Sequence, residues 1–273
     1  MIFDLHTHST ASDGTLTPHE LLRRARSNGV NCLSITDHDT VSAYRQLGST
    51  QYETLRLIPG IELSATWATL NVHIVGLNID LHSAVLSEAV RQQQEARLRR
   101  AEQIALNLQK KGVTGALDGA RDIAGNDNIG RPHFAAYLVE AGAVDDVRQA
   151  FRKYLGRGKT GDVRRFWPSM SVVVRWIREA AGTAVLAHPA HYQLTNTRLG
   201  LLADEFIAAG GTAIEVVSGK QLPELTRKLA QLATDKGLLA SCGSDFHRPG
   251  QAWAELGQAT LLPKGCRAVW HAW

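Results

Sequence analysis

The residues of this sequence that could do chemistry are histidines and carboxylates: His6-Thr7-His8, Asp13, Asp37-His38, Glu62, His73, His188 and Asp245-Phe246-His247. Imidazole and carboxylate are the ligands of borderline and hard divalent metals, and so many groups exceed what one ion takes. The chemistry they imply is that of a multinuclear metal site. They are scattered from residue 6 to residue 247, so the fold has to gather them.

Most of them follow a short apolar run that reads as a β-strand. Ile2–Leu5 leads into His6, Cys32–Thr36 into Asp37-His38, Leu57–Ile61 into Glu62, Thr183–Ala187 into His188, and Leu238–Cys242 into Gly243-Ser244-Asp245. In a closed parallel barrel all strands end on one face, so residues distant in sequence converge there. One histidine beside a strand is usually a satisfied core or surface residue. The recurrence argues otherwise, because apolar strands rarely carry charge at buried ends without a partner. His73 lies inside the run Leu70–Leu77, where it is either a ligand or a strand residue facing solvent. His19, His82, His191 and His271 are expected outside the site: His19 opens a helix, His82 and His271 lack acidic neighbours, and His191 merely adjoins His188.

At 273 residues and 44% hydrophobic, the chain can bury one large core, or one core and a small inserted domain. Its apolar runs are strand-length and broken by charges, too short for a membrane span. The sequence opens on Met1-Ile2-Phe3-Asp4 with no basic segment or cleavage site ahead of the first strand, so a cytoplasmic protein is expected. Cys32, Cys242 and Cys266 are odd in number, and two lie in apolar strands, which suits reduced thiols rather than disulfides. The net charge of +4 is uneven. Residues 91–165 hold 15 of the 30 basic and 9 of the 26 acidic residues, a surplus of six, which leaves −2 elsewhere. Arg97-Leu98-Arg99-Arg100 reads as a solvated helix face, but the segment as a whole suits an anionic substrate.

Strand and helix signals alternate over the first ninety residues. Thr17-Pro18-His19-Glu20 predicts a helix start with Thr17 as N-cap, Pro18 at N1 and Glu20 at N3, running to Asn28-Gly29. From about Ser83 to Leu155 the pattern turns helical, with breaks at Gly112, Asn126-Asp127-Asn128 and Gly142. From Ser171 the alternation resumes, with helices near Val172–Ala181, Leu199–Ala209 and Pro223–Lys236 between strands near Ala184–Ala187, Ala213–Val217 and Leu239–Cys242. Such spacing implies βαβ units and a parallel sheet. Candidate ligands lie on both sides of the helical stretch. The expected organisation is a discontinuous metal-binding domain of residues 1–90 and 165–273, with a helical insertion of residues 91–164 over the site.

The ordered motifs His6-x-His8, Asp13-Gly14, Thr36-Asp37-His38-Asp39, Pro59-Gly60-Ile61-Glu62, His188-Pro189 and Gly243-Ser244-Asp245-Phe246-His247 resemble those of the PHP (polymerase and histidinol phosphatase) phosphoesterases. The resemblance covers the chain outside the insertion. It implies an α/β fold, a distorted seven-stranded (β/α) barrel holding three divalent ions, most often Mn²⁺, otherwise Fe or Zn. By motif, His6, His8, Glu62 and Asp245 would hold one ion, Glu62, His73 and His188 a second, and Asp13, His38 and His247 the third. Glu62, His188 and Asp245 would serve catalysis as well.

Within the family the insertion is similar to that of small bacterial 3′,5′-nucleotide bisphosphate phosphatases and 5′→3′ exoribonucleases. The carrying motifs are Ile129-Gly130-Arg131-Pro132-His133 and Tyr154-Leu155-Gly156-Arg157-Gly158-Lys159. The first reads as a loop opening a helix, with Pro132 at N1, where an anion could meet Arg131 and free N–H groups; an ordinary capping turn is the alternative. The second is no P-loop, because Lys153 stands where that motif needs glycine and no strand leads in. Arg131, His133, Arg157 and Lys159 are the expected substrate-binding residues. The implied reaction removes the 3′-phosphate of nucleoside 3′,5′-bisphosphates, such as adenosine 3′,5′-bisphosphate, with a metal-bound hydroxide. An alternative is trimming of RNA or short oligonucleotides by the same site. A non-catalytic accessory module and a histidinol phosphatase fit less well, since the ligand set is complete and a basic insertion would repel a cationic amine. No obligate protein partner is evident.

Overall fold

The computed structural model describes residues 1–48, 55–259 and 261–273. The chain divides into two compact units, one of residues 1–90 and 168–273 and one of residues 91–167. In the first, strands β1 (Phe3–Asp4), β2 (Cys32–Leu33) and β3 (Arg56–Leu57) form a parallel sheet. A second sheet runs β4 (Gly60–Trp67), β5 (Leu70–Leu77), β6 (Thr183–Leu186), β7 (Ala213–Ser218) and β8 (Leu239–Gly243). Its β4–β5 and β5–β6 pairs are antiparallel, and its β6–β7 and β7–β8 pairs are parallel. The α/β class is as expected. The described strands pair as two sheets, the larger of them mixed where a wholly parallel sheet was expected. Isolated bridges join them at Thr7 with Phe246 and at His38 with Glu62.

The helices are α1 (Pro18–Ser27), α2 (Ser42–Leu47), α3 (Ala84–Gln109), α4 (Ala116–Ala124), α5 (Arg131–Glu140), α6 (Val147–Ala150), α7 (Met170–Glu179), α8 (Asn196–Ala208) and α9 (Pro223–Asp235). At the start of α1 the expected capping box forms, with Glu20 N–H donating to Thr17 Oγ1 and Thr17 N–H to Glu20 Oε2. Gly29, at φ 78°, turns the chain into the next strand. Helices α7, α8 and α9 fall within a few residues of their predicted spans. The β4–β5 hairpin and the strands beside it are almost wholly buried and share one core with α7, α8 and α9. This is why β4 to β8 read as near-continuous apolar runs. The second unit has its own core, around Ile104, Leu108, Phe134, Leu138 and Leu155. Among the described residues no helix is long and apolar enough to cross a membrane.

Candidate metal centre

The first unit brings the nine predicted ligands together. Glu62 is fully buried and is the hub. Its Oε2 meets His6 Nε2 at 3.3 Å, His8 Nε2 at 3.4 Å and His38 Nδ1 at 2.9 Å, while Oε1 meets His73 Nδ1 and His188 Nε2, both at 3.0 Å. Asp245 Oδ1 lies 3.6 Å from His6 Nε2 and 3.3 Å from His8 Nε2. Asp13 stands 3.8 Å from His38 Nε2 and 3.4 Å from His247 Nε2. The ligand atoms of His6, His8 and Asp245 lie within 4.8 Å of one another, and so do those of His8, Asp13, His38 and His247, and of His38, Glu62 and His73.

Glu62 does not follow a strand, as its sequence position suggested. It is the third residue of β4, because Pro59 separates the run at Leu57 from a new strand that starts at Gly60. Opposite it, β5 places His73 across from Ser64. Tyr192 fixes His73 further, its hydroxyl accepting the His73 N–H (2.9 Å) and donating to the Ala187 carbonyl (2.9 Å). Gly243 is required where it stands, since a Cβ there would lie 2.6 Å from the backbone nitrogen of His6. His188 and Asp245 hold positive φ, 27° and 55°, a strained state for non-glycine residues of the kind that clusters at functional sites.

Several buried donors and acceptors have no hydrogen-bond partner: His6 Nε2, His8 Nδ1 and Glu62 Oε2. Polar atoms are not buried unpaired without cost, and a nitrogen and oxygen set of this kind fits divalent cations. The electrostatics agree. Burial opposes ionisation of Glu62, yet His38, His6 and His73 hold it well below the usual carboxylate range. Burial likewise resists Asp245, which His6 and His8 outweigh. Burial, with His247 adding to it, pushes His8 down to about 3, and burial pushes His73 down to about 4, which leaves neutral imidazoles able to ligate. His247 goes up to about 10, because Asp13 and Asp245 outweigh its burial.

The surrounding carboxylates are clamps rather than ligands. Asp37 accepts the Ser9 N–H (2.7 Å) and the Ser9 and Ser12 hydroxyls (both 2.6 Å), fixing the loop that carries Asp13. Asp39 accepts the Ser64 N–H (2.7 Å) beside Glu62, and Asp4 the Ser244 N–H (2.8 Å) beside Asp245. Sequence reasoning missed Glu215, buried in β7, which accepts from His6 Nδ1 (2.7 Å) and from the His188 N–H (2.5 Å). Its signal was an ionisable residue inside the apolar run Ala213–Ser218. His191, expected outside the site, lies beside it. Its ring stacks on His188 at 5.0 Å, and its ligand atom groups with those of His188 and Asp245.

The substrate-binding candidates lie in the second unit. Arg131 is N1 of α5 and Pro132 is N2, one position later than expected, with Gly130 as N-cap. Arg131 donates to the Leu155 carbonyl (3.3 Å) and lies over the Phe151 ring. His133 is buried, and its Nδ1 accepts the Gly130 N–H (2.9 Å), so this ring closes the capping turn. Arg157 and Lys159 are exposed on the loop after the π-helical turn Phe151–Leu155. The Gly158 N–H of that loop already donates to the carboxylate of Asp162 (2.7 Å).

We predict that His38→Ala lowers bound metal by about one equivalent, because the other groups keep most of their own ligands. Elemental analysis of the purified variant reads this directly. Unchanged content, or loss of all metal, would refute a separate site built from Asp13, His38 and His247.

Comparison with known proteins agrees with this geometry. The PHP domain matches residues 4–120. The 5′-3′ exoribonuclease Rnm of Escherichia coli (strain K12) is 44% identical over 276 residues, spanning 100% of this chain and 94% of the relative. The 3′,5′-nucleoside bisphosphate phosphatase of Chromobacterium violaceum is 41% identical over 270 residues, spanning 98% of this chain and 95% of the relative. A solved structure of an amidohydrolase from Chromobacterium violaceum superposes with a TM-score of 0.89 at 40% identity, covering 100% of this chain and 95% of that one. With its histidines and carboxylates gathered around Glu62 and relatives aligned along nearly its whole length, the chain belongs to the PHP family of metal-dependent phosphoesterases.

Proposed function

We propose that the protein removes the 3′-phosphate of nucleoside 3′,5′-bisphosphates, adenosine 3′,5′-bisphosphate giving AMP and phosphate, with three divalent ions, Mn²⁺ first among them. The observation that carries this reading is Glu62, whose two carboxylate oxygens face different sets of histidines. His6, His8, Glu62 and Asp245 would hold one ion, Glu62, His73 and His188 another, and Asp13, His38 and His247 the third. When bound, such ions neutralise the phosphoryl oxygens and lower the pKa of water. In the reaction a water oxygen bonds to phosphorus, the P–O3′ bond breaks, and the 3′ oxygen takes a proton.

The protein's own contribution is preorganisation. Glu62 fixes the two histidine sets at one separation. Glu215 holds the His6 proton on Nδ1, because a carboxylate only accepts, and so turns Nε2 toward the centre. Asp37 and Asp39 hold the backbone around Asp13 and Glu62. Three free cysteines suit work in a reducing compartment such as the cytoplasm.

Arg131, Arg157 and Lys159 are assigned the non-reacting phosphate on their charge and motif. Binding energy from such a remote group can orient the reacting one. Arg131 lies over Phe151 with a donor on the Leu155 carbonyl, and the role assigned to it amounts to about one charge-assisted bond to the phosphate. We therefore expect Arg131→Ala to lower kcat/KM on adenosine 3′,5′-bisphosphate roughly 10-fold, and to leave a small aryl phosphate nearly untouched. Equal losses on both substrates would return Arg131 to a role in the fold.

A 5′→3′ exoribonuclease using the same centre is the second reading, favoured by the name of the Escherichia coli relative. Assaying the Mn²⁺-loaded protein in parallel on adenosine 3′,5′-bisphosphate, a 5′-phosphorylated short RNA and histidinol phosphate decides between them. Activity on histidinol phosphate alone would overturn both nucleotide readings.

A further inference from the structure

Among the described Phe, Trp and Tyr residues, Trp253 is the only exposed one, at 62%; the other five tryptophans are buried or half-buried. The exposure does not come from a loose segment. Trp253 lies on the loop that leaves His247, and its carbonyl accepts the Lys220 N–H at 2.6 Å, just beyond the end of β7. The adjoining Gly219 N–H donates to Gly243, the last residue of β8, at 2.8 Å. The approach is so close that a Cβ on Gly219 would lie 2.4 Å from the Trp253 carbonyl oxygen. On the other side, Ala254 and Leu256 are buried and pin the chain. The fold therefore anchors the backbone at this point and leaves a large apolar ring in water. It does so beyond the strand ends that supply Asp245 and His247.

Residues 219–222 and 248–253, the two segments that meet here, carry only positive charge, at Lys220 and Arg248. Lys220 and Arg248 are both exposed and have no carboxylate partner among the described residues. The nearest acid in sequence, Glu255, is spent on Arg24, whose Nε and Nη2 it meets at 2.8 and 2.6 Å. An exposed aromatic ring with cations on the adjoining segments offers the two contacts with which proteins hold single-stranded nucleic acid, bases stacking on the ring and phosphates meeting the cations. We propose that Trp253, with Lys220 and Arg248, is a stacking platform for a nucleobase of RNA on the 3′ side of the reacting phosphate.

This inference rests on the nucleotide-directed reading above and extends it to longer substrates. It makes a distinction that the metal centre alone does not. A nucleoside 3′,5′-bisphosphate ends at its reacting 3′-phosphate, so it has nothing to place on Trp253, whereas an RNA strand continues past that point. Trp253→Ala should therefore lower kcat/KM on a 5′-phosphorylated hexanucleotide on the order of 10-fold and leave adenosine 3′,5′-bisphosphate unchanged. Trp253→Phe should restore most of the loss. In parallel, a 3′-labelled, phosphorothioate-linked hexanucleotide should bind the Mn²⁺-loaded Trp253→Ala protein about as much more weakly, as read by fluorescence anisotropy.

Equal losses on RNA and on the bisphosphate would mean that Trp253 merely supports the centre, and would overturn the inference. So would unchanged RNA binding and turnover in Trp253→Ala, or a wild-type protein that hydrolyses the bisphosphate but neither binds nor cuts RNA. A wild-type protein that hydrolyses neither substrate yet binds the hexanucleotide through Trp253 would sink the phosphatase reading and leave the platform standing.

Discussion

Replacing Glu62 by Gln is expected to remove more than one equivalent of bound metal and to lower kcat/KM by about a thousandfold. The substitution keeps the shape and removes the charge. Glu62 Oε2 faces His6, His8 and His38, and Oε1 faces His73 and His188, so a neutral amide weakens both sides at once. The same residue governs the metal-free protein. Its pKa is held well below the ordinary value, burial resisting and His38, His6 and His73 prevailing. A carboxylate depressed in this way contributes stability that is present above its unfolded pKa and lost as pH falls through the folded one. Metal-free wild type should accordingly lose its advantage over Glu62→Gln on acidification below about pH 4. Full metal content in the variant, measured by elemental analysis, would remove the bridging role.

The cluster of histidines and carboxylates was legible because its members punctuate apolar runs, where charge has no ordinary reason to be. The capping box at Thr17 and Glu20 was legible because it is local chemistry. What could not be read was pairing. The β4–β5 hairpin turns through Ala68-Thr69, with Ala68 at φ 50°, and carries none of the Asn or Gly that marks a two-residue turn. Its antiparallel strands therefore looked like parallel ones, and a wholly parallel sheet was expected where a mixed one stands. Glu215 escaped for a related reason: it lies within an apolar run and follows none, so a rule that searched strand ends passed over it. Nor did anything local announce that Asp162 takes the Gly158 amide.

Glu215 supports the last expectation. Its two oxygens serve different members of the cluster, Oε1 taking the Nδ1 proton of His6 and Oε2 the backbone N–H of His188, whose φ of 27° is unfavourable without such a tether. Glu215→Gln keeps the volume but offers one acceptor where two are needed, so either His6 or His188 faces an amide N–H instead. Losing one outer hydrogen bond to a metal-ligating histidine typically costs 10- to 100-fold in metal affinity. With one such bond lost, we predict a fall of about 10- to 100-fold, read by titration against a competing chelator, and a comparable loss of activity at limiting metal. The variant should also lose the strict Nδ1–H tautomer of His6, which ¹⁵N spectra of the imidazole report and which a merely space-filling role for Glu215 would not disturb. Unchanged metal affinity in a folded Glu215→Gln protein, with His6 still protonated on Nδ1, would show that β7 buries this carboxylate for the fold and not for the metal centre.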